Sequence, residues 1–157
     1  MPDGLYERDA LEWADRQATL LRRLAAGERV NDAVDWAHVI EEVQDVGLSE
    51  LRACRSLLLR ALVHLMKMAA WPGSQSFGHW SVEATVFLAD AADAFAPSMR
   101  QRIDLAAVYA DALGAFQWAS DDSGAPGPVM PDCPFALDDL LHRDLAALVR
   151  RLGGGAG

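Results

Sequence analysis

Apolar side chains recur at three- and four-residue steps along most of the chain, and no stretch of useful length alternates with period two. Leu5, Trp13, Leu20, Leu21 and Leu24 stand among Glu7, Glu12, Asp15, Arg16, Arg22 and Arg23, which predicts an amphipathic first helix ending near Gly27. A second helix is predicted over Asp35–Val46. It opens at an N-cap aspartate, carries Trp36, Val39, Ile40, Val43 and Val46 on one side, and stops at Gly47. Ser49 caps a third helix running toward Ala70, which Trp71-Pro72-Gly73 ends because proline cannot continue the hydrogen-bond ladder.

After a turn at Gly73–Gly78, Ser81 is placed to cap a fourth helix from Val82 to about Phe95, and Ala96-Pro97-Ser98 marks the next boundary. A fifth helix is expected over Arg100–Ala119. Residues 120 to 135 shift to Asp, Ser, Gly and four prolines, a surface connection with Val129, Met130 and Phe135 as anchors. A sixth helix runs from Leu137 or Asp138 to Leu152. The reading is all-α: an irregular bundle of five or six helices with a Pro/Gly-rich loop before the last, one domain over residues 1–152 and a flexible Gly-rich tail at 153–157.

Composition fits that picture. A chain of 157 residues, 52% apolar, is long enough to bury a continuous core without disulfides or a structural metal. Its net charge of −9 disfavours nonspecific binding to nucleic acid or anionic membranes. The stretch Leu57–Trp71 is the most apolar, but Arg60 and Lys67 interrupt it and it is too short to span a bilayer. Cys54 and Cys133 have no metal-ligand spacing, and MPDGLYERD lacks the basic and apolar regions of a leader, so reduced thiols in a cytoplasmic protein are expected. No cofactor-binding motif is present.

The distribution of charge is more distinctive than its sum. From Met1 to Glu50 there are twelve acids against five arginines, whereas every charged side chain from Leu51 to Val82 is basic: Arg52, Arg55, Arg60 and Lys67. With a connection as short as Gly47-Leu48, helices two and three are expected to be antiparallel, bringing Glu41 and Glu42 against the basic stripe as register-setting bridges. If those bridges are partly buried, Glu41→Ala or Arg60→Ala costs about 3 kcal/mol.

A chemical alternative gathers His38, Glu41, Glu42 and His64 as nitrogen and oxygen ligands for a metal. The same stretch offers Glu41, Glu42, His64 and Lys67 as catalytic candidates, with Arg60 and His38 as binding groups. The order His-x-x-Glu-Glu does not match the Glu-x-x-His repeats of di-iron bundles, and neither zinc-protease pattern occurs, so no metal is expected. Arg60 and His64 form R-x-x-x-H, one residue shorter than the arginine–histidine spacing of helical ribonucleases. His79 reads as a cap or a partner for Trp80, His142 as a surface residue, and Trp13, Trp36 and Trp118 as packing residues on apolar stripes.

Several phrases together resemble a bacterial all-helical family known as domain of unknown function twenty-nine. They are Leu5-Tyr6-Glu7-Arg8-Asp9 with Trp13 and Gln17, then Asp35-Trp36-Ala37-His38-Val39-Ile40-Glu41-Glu42-Val43, and Gly47-Leu48-Ser49-Glu50. The His64-Leu65-Met66-Lys67 block, Pro97-Ser98-Met99, Tyr109-Ala110, Pro131-Asp132-Cys133-Pro134-Phe135 and Leu140-Leu141 continue the match. The resemblance implies a compact helical fold and carries no activity with it. One departure is that Trp80 is followed by a helix without arginine before Arg100, where the family usually has an arginine-rich one.

With no complete catalytic constellation and more apolar helix faces than a small bundle needs, the expected function is a non-catalytic protein–protein interaction module. It would act on an unknown protein partner, with homodimerisation as one form of that contact. The alternative is an enzyme or metal-binding protein with a Glu/His site on helices two and three.

Overall fold

A computed structural model describes residues 4–155. The reading of the first three residues and the last two positions of the expected tail lie outside them. Among the described residues there are seven α-helices, two short 3-10 turns and no strand. The helices are α1 (Leu5–Arg8), α2 (Ala10–Ala25), α3 (Trp36–Ala70), α4 (Phe77–Ala94), α5 (Leu105–Phe116), α6 (Leu137–His142) and α7 (Leu145–Leu152). The all-α expectation therefore holds, and the described residues form two compact units, one up to Ser49 and one from Glu50 onward.

Besides the fifth helix, which runs over Leu105–Phe116 with Asp104 as its N-cap rather than over Arg100–Ala119, three boundaries differ from the sequence reading, each for a local reason. The expected first helix is broken at Asp9, whose extended backbone and carboxylate, accepting from the Glu12 N–H at 3.0 Å, make it the N-cap of α2. The expected last helix is divided at Arg143, which takes left-handed geometry at φ 62°, and Asp144 caps α7 through the Ala147 N–H at 3.1 Å. Helix α4 begins at Phe77 rather than after Ser81, whose hydroxyl instead donates to the Phe77 carbonyl within the helix.

The largest correction concerns Gly47. Helices two and three are one continuous helix, α3, with no turn at Gly47-Leu48. A glycine inside a helix costs only about 1 kcal/mol relative to alanine, and no proline follows to block the ladder. The apolar phase also runs on unbroken: Val43, Gly47, Leu51, Cys54 and Leu58 are spaced for one helix face. With no turn at Gly47-Leu48, the expected antiparallel pairing of helices two and three does not form.

In the second unit the buried face of α3, formed by Cys54, Leu58, Ala61, Leu62 and Leu65, belongs to one core with Leu88 of α4, Val108 and Tyr109 of α5, Leu140 of α6 and Leu148 and Leu152 of α7. Full burial of such aliphatic side chains stabilises by roughly 1.5–3 kcal/mol each. The Pro- and Gly-rich stretch after α5 is held by its backbone. The Gly127 N–H donates to the Ala70 carbonyl at 2.8 Å, the Met130 N–H to Leu152 at 2.9 Å, and the Tyr109 hydroxyl to the Met130 carbonyl at 2.5 Å. At the other end of the unit, Gly154 at φ 80° lets the N–H groups of Gly154 and Gly155 return to Arg151 and Arg150, a Schellman closure of α7.

Two tryptophans depart from the packing expectation. Trp13 is buried, but Trp36 is 43% exposed and Trp118 84% exposed.

Candidate functional site

In the first unit, α1, α2 and the start of α3 converge on a polar and aromatic cluster. Asp35, just before α3, accepts from the Trp13 indole N–H at 3.1 Å, and its Oδ2 lies 2.6 Å from His38 Nδ1. The His38 backbone N–H reaches the same carboxylate, the bond expected of an N-cap aspartate. The Asp35 N–H in turn donates to the Gln17 side-chain oxygen at 2.8 Å, which accounts for a buried glutamine on α2. From α1, the Tyr6 ring stacks on His38 with centroids 4.0 Å apart, meets Trp13 edge-on at 4.9 Å, and donates its hydroxyl to Glu42 at 2.7 Å.

The electrostatics follow from those bonds. The hydrogen bond from His38 holds the Asp35 carboxyl below its ordinary range, helped by the indole and backbone donors and opposed by burial. The bond to Asp35 raises the His38 imidazole despite partial burial, with the Asp35, Glu7 and Glu41 charges adding to it. Glu7 approaches the other ring nitrogen at 3.9 Å. Tyr6 is pushed up to about 12, first by its bond to Glu42, then by burial and the acids of α3, so its hydroxyl stays a donor.

These shifts predict a pH window. A raised His38 is stabilising below the ordinary imidazole value of about 6.5, and that contribution is lost as pH rises through the higher folded value. A lowered Asp35 is stabilising above about 3.9 and loses its contribution as pH falls through its lower folded value. The pair therefore supports the first unit most between about pH 4 and 6.5. Protection factors of the α2 amides, corrected for the intrinsic pH dependence of exchange, are expected to be highest within that window and to fall above it, and His38→Gln should flatten the alkaline side. An unchanged alkaline profile in that variant would show that the imidazole carries no linkage.

Of the sequence-predicted residues, His38, Glu41 and Glu42 belong to the first unit and Arg60, His64 and Lys67 to the second. His38 and Glu42 belong to the cluster just described, each engaged by its own neighbours, and Glu41 is exposed. His64 turns Nδ1 to the Arg60 carbonyl of its own helix at 2.8 Å and tilts against Phe87 at 5.5 Å. Arg60 lies over the Phe87 ring at 5.9 Å and Lys67 over Trp80 at 6.0 Å, so aromatic faces of α4 take the place expected for the acids. Arg55 pairs with Asp111 of α5. Among the described residues no group of three or more His, Cys, Asp or Glu side chains could hold a metal ion. His79 is exposed inside α4 rather than at its cap, and His142 bonds the Asp138 carbonyl of its own helix.

Exposure removes the condition for a large cost at Glu41 or Arg60. Glu41→Ala and Arg60→Ala are now each expected to change stability by less than about 1 kcal/mol. Denaturant midpoints check this, and a shift of several kcal/mol in either would point to a buried partner.

The cluster also contains residues not picked out as candidates from sequence: Tyr6, Trp13, Gln17 and Asp35. Their one shared signal was membership of the Leu5–Gln17 and Asp35–Val43 phrases. The model of the family described as Domain of unknown function DUF29 matches residues 5–146, nearly the whole described chain. The chain belongs to the DUF29 family. Among solved structures, this DUF29 member is similar to an alpha-helical protein of unknown function from Rhodospirillum rubrum ATCC 11170. The two are 29% identical, with a TM-score of 0.68 over 94% of this chain and 97% of the other. No curated protein matches. In this DUF29 chain the two family phrases meet at Asp35 and His38, where they bond one another. The hydrogen bonds from Tyr6 to Glu42 and from Trp13 to Asp35 make the cluster a clamp that holds α1 and α2 to the start of α3. Among the described residues, no helix is long and apolar enough to cross a membrane.

Proposed function

We propose that this protein is a cytoplasmic, non-catalytic protein–protein interaction module whose contact surface is the amino-terminal part of α3. One observation carries the reading: in the first unit residues of α1 and α2 engage the polar side of α3, while much of its apolar side stays exposed. Tyr6 and Trp13 engage Asp35, His38 and Glu42, whereas Trp36, Ile40, Val43 and Val46 are 43, 55, 69 and 69% exposed. An amphipathic helix ordinarily turns the apolar side inward. Contiguous exposed apolar side chains of this size mark contact sites on soluble proteins. Free rather than paired cysteines support a reducing compartment.

A photo-crosslinking amino acid placed at Val43, in cells producing the protein, tests this directly. Irradiation is expected to give a covalent protein adduct from position 43, and none from Arg22 on the exposed side of α2. No adduct from position 43 would overturn the reading.

A further inference from the structure

We infer that the first unit binds a free α-amino acid with an apolar side chain, in a cavity between α2 and the turn that leads into α3. The cavity has a volume of about 340 Å³, within the range of roughly 300–1,000 Å³ usual for small-molecule sites. Its lining among the described residues falls between Leu5 and Trp36, so the site lies within this unit.

Gln17 is the observation that points to a ligand. It lines the cavity and is only 9% exposed, and its Oε1 accepts from the Asp35 N–H at 2.8 Å, which fixes Nε2 as the other end of the amide. Among the described residues Nε2 donates to no acceptor. Nor is it sealed off, since no side-chain nitrogen or oxygen among them is both enclosed and without a bond. Holding the Asp35 N–H needs an oxygen alone, so the NH2 half of this amide serves no contact within the fold. Amide donors left without acceptors in a buried place cost free energy, and a ligand oxygen in the cavity would offset that cost.

The remaining lining groups define the rest of the ligand. Arg16 brings positive charge beside Gln17 while pairing with Glu12 at 2.9 Å, so the oxygen that meets Nε2 is best a carboxylate. On the turn Asn31–Ala33, Asp32 offers a carboxylate to which the Asn31 side-chain amide donates at 2.9 Å, whereas the carboxylate of Asp35 is engaged by Trp13 and His38. An ammonium group suits Asp32. Leu20, Val34 and the rings of Trp13 and Trp36 supply apolar wall, and the Trp36 indole N–H is held by the Asn31 carbonyl at 3.0 Å. A plain carboxylic acid would set its charge against Asp32, and a plain amine would leave Nε2 unmet. The zwitterion answers both ends.

Titration of the isotope-labelled full chain with L-leucine and with L-phenylalanine tests this, read from the backbone amides of Gln17, Ala33 and Asp35. Saturable shifts with a Kd of about 1 mM or tighter are expected. Isocaproate, which is leucine without its amine, and isoamylamine, which is leucine without its carboxylate, should each bind at least about tenfold more weakly. Gln17→Glu keeps an oxygen for the Asp35 N–H but sets a carboxylate where the donors stood, and it should weaken leucine binding by a similar factor. Asp32→Asn, at an exposed position that leaves the fold untouched, should do the same. No saturable shift with either amino acid up to about 20 mM would overturn the inference. Equal affinity for isocaproate and leucine, or unchanged leucine binding in Asp32→Asn or in a folded Gln17→Glu, would overturn it as well.

Discussion

Leu62→Ala is expected to lower the unfolding free energy of the second unit by about 3 kcal/mol, within the range of roughly 2–5 for large-to-small changes at buried leucine. Leu62 is fully buried on α3, in a cluster that takes side chains from α4, α5, α6 and α7. Loss of three methylene-sized groups there removes transfer free energy and leaves a cavity that several helices would have to move together to close. Guanidinium unfolding followed by circular dichroism measures the effect. Leu62→Met, which conserves volume, should cost less than about 1.5 kcal/mol, and Val82→Ala on the 61% exposed face of α4 should stay within about 0.5. Equal effects at Leu62 and Val82 would contradict the core described above.

Asp35→Ala is expected to destabilise the first unit by about 2 kcal/mol. The substitution removes an N-cap, typically about 1 kcal/mol, and strands the Trp13 indole N–H in a largely buried position. The same change releases His38, which loses the acceptor that favours its protonated form. Asp35→Asn keeps a capping oxygen and should retain part of the stability. Exchange of the α2 amides between Ala10 and Ala25 reports on this unit without the larger core dominating the signal. Protection unchanged in Asp35→Ala would show that the clamp does not hold α2 in place.

Helix existence and type were legible because periodicity is a local property. Asp9, Asp104 and Asp144 are N-caps that accept from the third residue on, but the apolar period continues across each of them, so these three helix starts were not read from the sequence. The error at Gly47 came from giving a breaker residue more weight than the phase of the residues around it, although Val43, Leu51, Cys54 and Leu58 already described one face. That single boundary misplaced the charges. With α3 continuous there is no turn at Gly47 to pair acids with bases, and within the second unit Arg60, Lys67 and Arg55 meet Phe87, Trp80 and Asp111.

The clamp was only half legible. His38 and Glu42 were candidates on residue type, but Tyr6, Trp13, Gln17 and Asp35 come from segments whose meeting no local pattern encodes. The sequence by itself determined an all-α chain, its membership of a helical family, and the apolar and polar faces of each helix, because those depend on spacing along one backbone. Only the tertiary structure decided which face of α3 is engaged in the first unit. Hydrogen bonds from Tyr6 and Trp13 anchor α1 and α2 on its polar side, while much of the apolar side from Trp36 to Val46 stays exposed.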